Sequence, residues 1–166
     1  ALFGDIDGVI STAVLEARIA SGEKVYTGAY MIRAEGNPKA PWFCWSKQRY
    51  VSEIVLGRLW EDRRRWEAFF DGEQRSLRDA WFQFRSPRYV GWGGGGFMAY
   101  EVVTDLRHTR YLRGAPDIYD WANAGPGALR GLNRLLGRDL NAPVADRAVT
   151  LMRAIYAEQD TYRAAH

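Results

Sequence analysis

The chain holds a single cysteine, Cys44, and only two histidines, His108 and His166, far apart in sequence. One thiol closes no intrachain disulfide, and so small a Cys/His inventory excludes a zinc site of the usual spacing and any iron–sulfur cluster. A lone thiol fits a reducing compartment, and a cytoplasmic location is expected. No run approaches the roughly 18 apolar residues of a membrane-spanning helix, so no membrane partner is expected. The N-terminal stretch ALFGDIDGVIST carries Asp5 and Asp7 but no basic leader, which is unlike a signal peptide. It also lacks an initiator Met, so a trimmed chain is expected. There is no GxxxxGK[ST] loop, which excludes a P-loop kinase acting by itself. GxSxG is absent too, and His108 is the only internal histidine for a Ser–His–Asp set. Nothing asks for a cofactor or a metal.

Lysine is scarce as well. Of 23 basic residues only those at 24, 39 and 47 are lysine, and the rest are arginine. Arginine's planar fork suits bidentate contacts to phosphates and base edges. Seven tryptophans and nine tyrosines add stacking surface. Arginine with aromatics is the composition of a surface that handles nucleic acid. An aromatic-rich core under a solvated arginine face would account for it equally. A length of 166 residues suits one domain with a real core, and no internal boundary or repeat stands out.

The periodicity predicts an all-α chain. Apolar residues on one helical face run through 8–21 and stop at Gly22. Residues 25–33 are ambiguous between strand and helix, and helix is expected because no partner strand is evident. A loop spans 34–43, and a helix follows Ser46. EDRRRW, 61–66, reads as a solvated helix face. Ser76 and Asp79 form a capping-box pattern ahead of a short helix that Ser86-Pro87 ends. Helices are expected at 97–107, briefly near 117–123, at 128–137, and at the C-terminal end.

Two glycine-rich stretches carry the functional argument. Hydrophobic–Gly–x–Gly before an apolar helix is the core of a helix-hairpin-helix, whose bare amides contact a DNA phosphate. Trp92, Gly93, Gly94, Gly95 and Gly96 match it, and a flexible surface loop is the plainer alternative. In AGPGALRGL, 124–132, Gly125 and Gly127 flank Pro126 at a helix start, with Arg130 one turn in. That is an anion site in principle, or simply a helix cap. Glu101 and Asp105, four apart, share a helix face, and Asp120 lies just upstream of the second turn. Each is a catalytic carboxylate or a surface counter-charge. Tyr30, Arg33 and Tyr50, with Lys47 and Arg49, interleave basic and aromatic groups as a pocket for an extruded base does.

GWGGGGFMAYEVVTDL followed by DWANAGPGALRGLNRLLG resembles the alpha-glutamyl/putrescinyl thymine pyrophosphorylases of phage thymine hypermodification, also described as amino acid:DNA transferases. A related helical domain accompanies 5-hydroxymethyluracil DNA kinases. The resemblance covers about residues 25–160 and implies a helical fold like that of helix-hairpin-helix DNA glycosylases. It also implies a reaction in which an amino acid or polyamine displaces pyrophosphate from a pyrophosphorylated 5-hydroxymethyluracil in DNA. On that basis Gly93 to Gly96 hold the DNA backbone, and Gly125, Gly127 and Arg130 hold a DNA phosphate or the leaving pyrophosphate. Asp105 or Asp120 orients or deprotonates the amine, and Tyr30, Lys47 or Tyr50 touches the base. A non-catalytic DNA-binding module that partners such a kinase is the second expectation, and a monofunctional glycosylase the third. A lyase-type glycosylase is excluded, because its lysine would fall near Phe97, which forms no Schiff base.

Overall fold

The computed structural model describes residues 11–28, 31–72 and 75–165, and every regular element among them is helical. The chain divides into two compact units, residues 1–115 and 116–166.

In the first unit, α1 (Thr12–Ala20) starts where Ser11 Oγ accepts the amide of Val14 at 3.2 Å. Of the expected helix over 8–21, residues 8–10 lie outside the described residues. The expected helix over 25–33 is not there: the described part is irregular. Val25, Tyr26 and Thr27 are poor helix formers, and Gly28 follows them. Tyr26 tucks beneath the Lys47 ammonium, 4.2 Å from its ring centroid, and burial raises its phenol pKa.

Ser46 caps α2 (Lys47–Arg49), which runs on through a widened π turn (Tyr50–Leu56) into α3 (Gly57–Glu61). A π turn brings each amide towards the carbonyl five residues back. At Gly57 a Cβ would stand 3.0 Å from the Ser52 carbonyl oxygen, so glycine suits that turn. The turn buries Tyr50, Val51, Ile54 and Val55.

EDRRRW is only partly a solvated face. Trp66, in α4 (Arg63–Asp71), is 1% exposed and sits among four rings: Phe84 at 4.4 Å, Tyr89 at 5.5 Å, Phe70 at 5.9 Å and Phe69 at 6.0 Å. Asp62, just before α4, accepts from the Arg88 guanidinium through both its oxygens and from the Tyr89 hydroxyl at 2.7 Å. The Arg88 bonds hold its carboxyl below the ordinary range. Burial, with the bond to Asp62 second, pushes Tyr89 up to about 12.

Ser76 Oγ accepts the amide of Asp79 at 2.9 Å and starts α5 (Leu77–Phe84). This helix buries Leu77, Ala80, Trp81 and Phe84, the i, i+3, i+4, i+7 stripe of an amphipathic helix. It packs on α6 (Phe97–Leu106), whose Ala99 and Val103 have no exposed surface.

In the second unit, residues 117–123 form one turn rather than a helix, with the amides of Asp120 and Trp121 both on the Asp117 carbonyl at 3.0 Å. Pro126 occupies the first position of α7 (Pro126–Leu135), where its missing N–H costs nothing. α7 packs on α8 (Ala148–Ala165), with Leu132, Val144 and Ala148 buried. Asn133, 1% exposed, donates its amide to the carbonyls of Leu140 at 3.2 Å and Ala142 at 2.8 Å, which pins the intervening loop to α7.

Candidate nucleic-acid interface

The glycine run is a bend between α5 and α6. The amide of Gly96 meets the Gly93 carbonyl at 2.7 Å and closes a four-residue turn, and the Ala99 amide reaches back to Trp92 at 3.2 Å. The glycines around this turn are bare for two different reasons. Gly91 and Gly96 have φ of +91° and +76°, where an L residue is strained. They are also packed tightly. A Cβ on Gly91 would lie 2.4 Å from Val55 Cγ2, and one on Gly96 would lie 2.6 Å from Trp81 Cζ2. Gly93 needs its φ of +82°. Gly94 and Gly95, at the tip, need neither: they are exposed and lack the left-handed backbone, and a Cβ on either would meet nothing within 4 Å. Backbone conformation or packing therefore accounts for Gly91, Gly93 and Gly96, and neither applies at Gly94 and Gly95.

The bend is braced from behind. Glu35 Oε2 accepts the amide of Gly91 at 2.9 Å, the Glu35 amide donates to the Tyr50 hydroxyl at 3.1 Å, and the Glu35 carbonyl accepts Trp42 Nε1 at 3.0 Å. Burial raises the Tyr50 phenol pKa, so the hydroxyl stays neutral. On the α5 side, Trp81 Nε1 donates to the Gly96 carbonyl at 3.0 Å. Arg85 lies 4.3 Å over the Trp81 ring and donates to the Gly94 carbonyl at 3.3 Å.

The expected site residues therefore fall into distinct groups. Trp92 is 8% exposed and its ring packs on Phe84 at 5.0 Å, so it supports the bend from the core. Tyr50, 3% exposed, does the same and has no open face for a base. Lys47 sits over Tyr26, and Arg49 stacks 3.8 Å over Trp45 while pairing with Glu53 at 3.1 Å. Arg33 is exposed on the loop two residues before Glu35. Tyr30 lies outside the described residues. Glu101 and Asp105 share one face of α6, the first half-buried and the second exposed.

The second glycine turn belongs to the other unit. Gly125 and Gly127 have open space around them, and Arg130 is exposed with no carboxylate paired to it among the described residues. Asp120 pairs with Arg153 at 2.8 Å, and Tyr119 stacks near Tyr156 with centroids 5.6 Å apart. Arg130 and Asn133 line a cavity of about 240 Å³ with Pro126, Leu129 and the 140–145 loop. Asn133 Oδ1 is buried and has no hydrogen-bond partner among the described residues. Among the described residues no three of His, Cys, Asp and Glu gather where a metal could sit.

A family model described as the helical domain of 5-hmdU DNA kinase matches residues 5–165. The chain belongs to that family. This 5-hmdU DNA kinase helical domain is one of the relatives to which the sequence resemblance pointed, and the match does not extend to the transferases or glycosylases. No curated protein and no solved structure matches the chain.

Sequence reasoning missed Glu35, Trp81 and Arg85, the side chains that hold the bend. A signal was present in WFQFR, 81–85, where Trp81 and Arg85 lie four apart on a helix and can stack.

Proposed function

We propose that this helical domain holds DNA for modification at 5-hydroxymethyluracil, and that it serves a kinase acting on that base. The family membership names the base and the kinase. The bare Gly94–Gly95 tip is the single observation that carries the grip: exposed main chain that the fold does not need bare is suited to a phosphate. Such contacts carry no base information, so the kinase, not this tip, would choose the base. Work in the cytoplasm belongs to the same proposal.

The test is a binding titration by anisotropy across salt concentrations, with DNA containing thymine or 5-hydroxymethyluracil. Affinity should fall steeply with salt and change little with the base. A preference for the modified base as large as the total affinity change with salt would remove the phosphate-grip reading.

A second reading, transfer of an amine to the pyrophosphorylated base, is favoured by the cavity beside α7. Arg130, exposed on the wall of that cavity, offers charge to a leaving pyrophosphate. In that step a C–N bond forms at the exocyclic methylene and the C–O bond to pyrophosphate breaks. The ammonium proton passes to Asp120, the candidate carboxylate of the same unit. Incubating pyrophosphorylated DNA with a panel of amines should release one pyrophosphate per heavier nucleoside. Asp120→Asn should abolish product with DNA affinity intact. Binding without turnover leaves the DNA-holding reading alone.

A further inference from the structure

The outer face of α5 carries an arrangement that a duplex grip does not use. Its inner stripe is buried, while Arg78, Phe82 and Arg85, at i, i+4 and i+7, are exposed along one line. Phe82 leaves 51% of its surface in water, a costly position for a large apolar ring. The Arg78 guanidinium lies 5.6 Å from its centroid, and the Trp81 ring meets it edge-on at 5.0 Å. Arg85, over the Trp81 ring, reaches the Gly94 carbonyl at the tip of the bend. A second large ring, Phe97, is 53% exposed at the start of α6, directly after the glycine that abuts Trp81.

We infer that this stripe is a stacking platform for unpaired bases of a single DNA strand. The inference rests on the reading that the domain holds DNA. In a duplex the base faces are covered by their neighbours, and a protein meets only edges and phosphates. A single strand offers both base faces and phosphates, and an exposed ring with a guanidinium beside it matches that pair of features. Arg78 lies one helical turn before Phe82 on the same face, which sets one phosphate contact beside a base stacked on that ring. The neighbouring carboxylate, Asp79, has its own cause, since the first turn of a helix favours negative charge. Glu101 lies one turn beyond Phe97, so the strand is expected to leave α6 near its start.

The test compares a thymine oligonucleotide with an abasic strand of equal length and charge, by anisotropy on the full chain. The unmodified protein should prefer the base-bearing strand by roughly fivefold to a hundredfold. Phe82→Ala/Phe97→Ala should bring the two strands to equal affinity with the unfolding midpoint little changed, because both rings are exposed. Phe82→Tyr/Phe97→Tyr, which keeps the rings, should restore the preference. Arg78→Gln should weaken both strands alike and reduce the salt slope by about 0.7. Equal affinity of the unmodified protein for the two strands overturns the inference, as does a preference that survives the double alanine change. Duplex binding without single-strand binding overturns it while leaving the DNA-holding reading intact. Failure to bind any DNA removes both.

Discussion

Replacing Gly96 and Gly95 by alanine, one at a time, should have opposite effects on folding and on binding. At Gly96 the methyl group meets two costs. A φ of +76° strains an L residue by roughly 1–2 kcal/mol. The new Cβ also stands 2.6 Å from Trp81 Cζ2 and 2.7 Å from Arg85 Cδ. Arg85 can swing aside. The Trp81 ring cannot do so cheaply, because it is buried and its Nε1 is bonded to the Gly96 carbonyl at 3.0 Å. Overpacking of this kind costs about 1–3 kcal/mol. The total, about 2–5 kcal/mol, should lower the unfolding midpoint by on the order of 10 °C. Gly95 meets neither cost, and Gly95→Ala should stabilise the chain by roughly 0.4–1 kcal/mol through the unfolded state. The same methyl stands where a strand would lie. Loss of one charge-assisted amide contact, about 1.5–3 kcal/mol, should weaken DNA binding roughly tenfold to a hundredfold for every sequence. Urea unfolding and a DNA titration on both variants decide the matter. If Gly95→Ala destabilises as much as Gly96→Ala, the packing argument is wrong. If Gly95→Ala binds DNA unchanged, the tip is not bare for a ligand.

Trp66→Ala should cost about 3–5 kcal/mol in urea unfolding, because it empties the centre of a ring cluster that includes Phe84 and Tyr89; a smaller loss would mean that the cluster collapses to fill the space. Stability should also fall at both pH extremes around Asp62. The folded-state pKa of Asp62 lies below its ordinary 3.8, so its contribution is present above that pH and is lost as pH falls through the folded value. Tyr89 is raised from 10.0 to about 12, so its contribution is present below pH 10 and fades as pH rises towards 12. Asp62→Asn should flatten the acid limb of a midpoint-versus-pH curve, and an unchanged acid limb would remove Asp62 from the account.

Local signals in the chain reached as far as the hydrogen bonds they describe. Ser46 and Ser76 cap the helices expected after them, and Pro126 opens α7, because a cap and a 3.6-residue repeat act within one or two turns. Ser11, expected inside a helix over 8–21, is instead a cap. Residues 25–33 and 117–123 broke the same reasoning. Tyr26 lies under Lys47 rather than in a helical turn, and Asp120 closes a single turn and then pairs with Arg153, 33 positions away. Trp92 and Tyr50 read as ligand-facing because aromatics beside glycine and arginine suit a base. Their rings instead fill the space behind the bend.

The helical class, the caps and the presence of two bare glycine turns were settled by residue order alone, since each depends on neighbours along the backbone. Which glycines the fold itself requires depended on the docking of α5 and the π turn against the bend. Gly91 and Gly96 look like Gly94 and Gly95 in a string of letters. Only the arrival of Val55 and Trp81, from 36 and 15 positions away, separates them, because steric exclusion acts between atoms that meet in space.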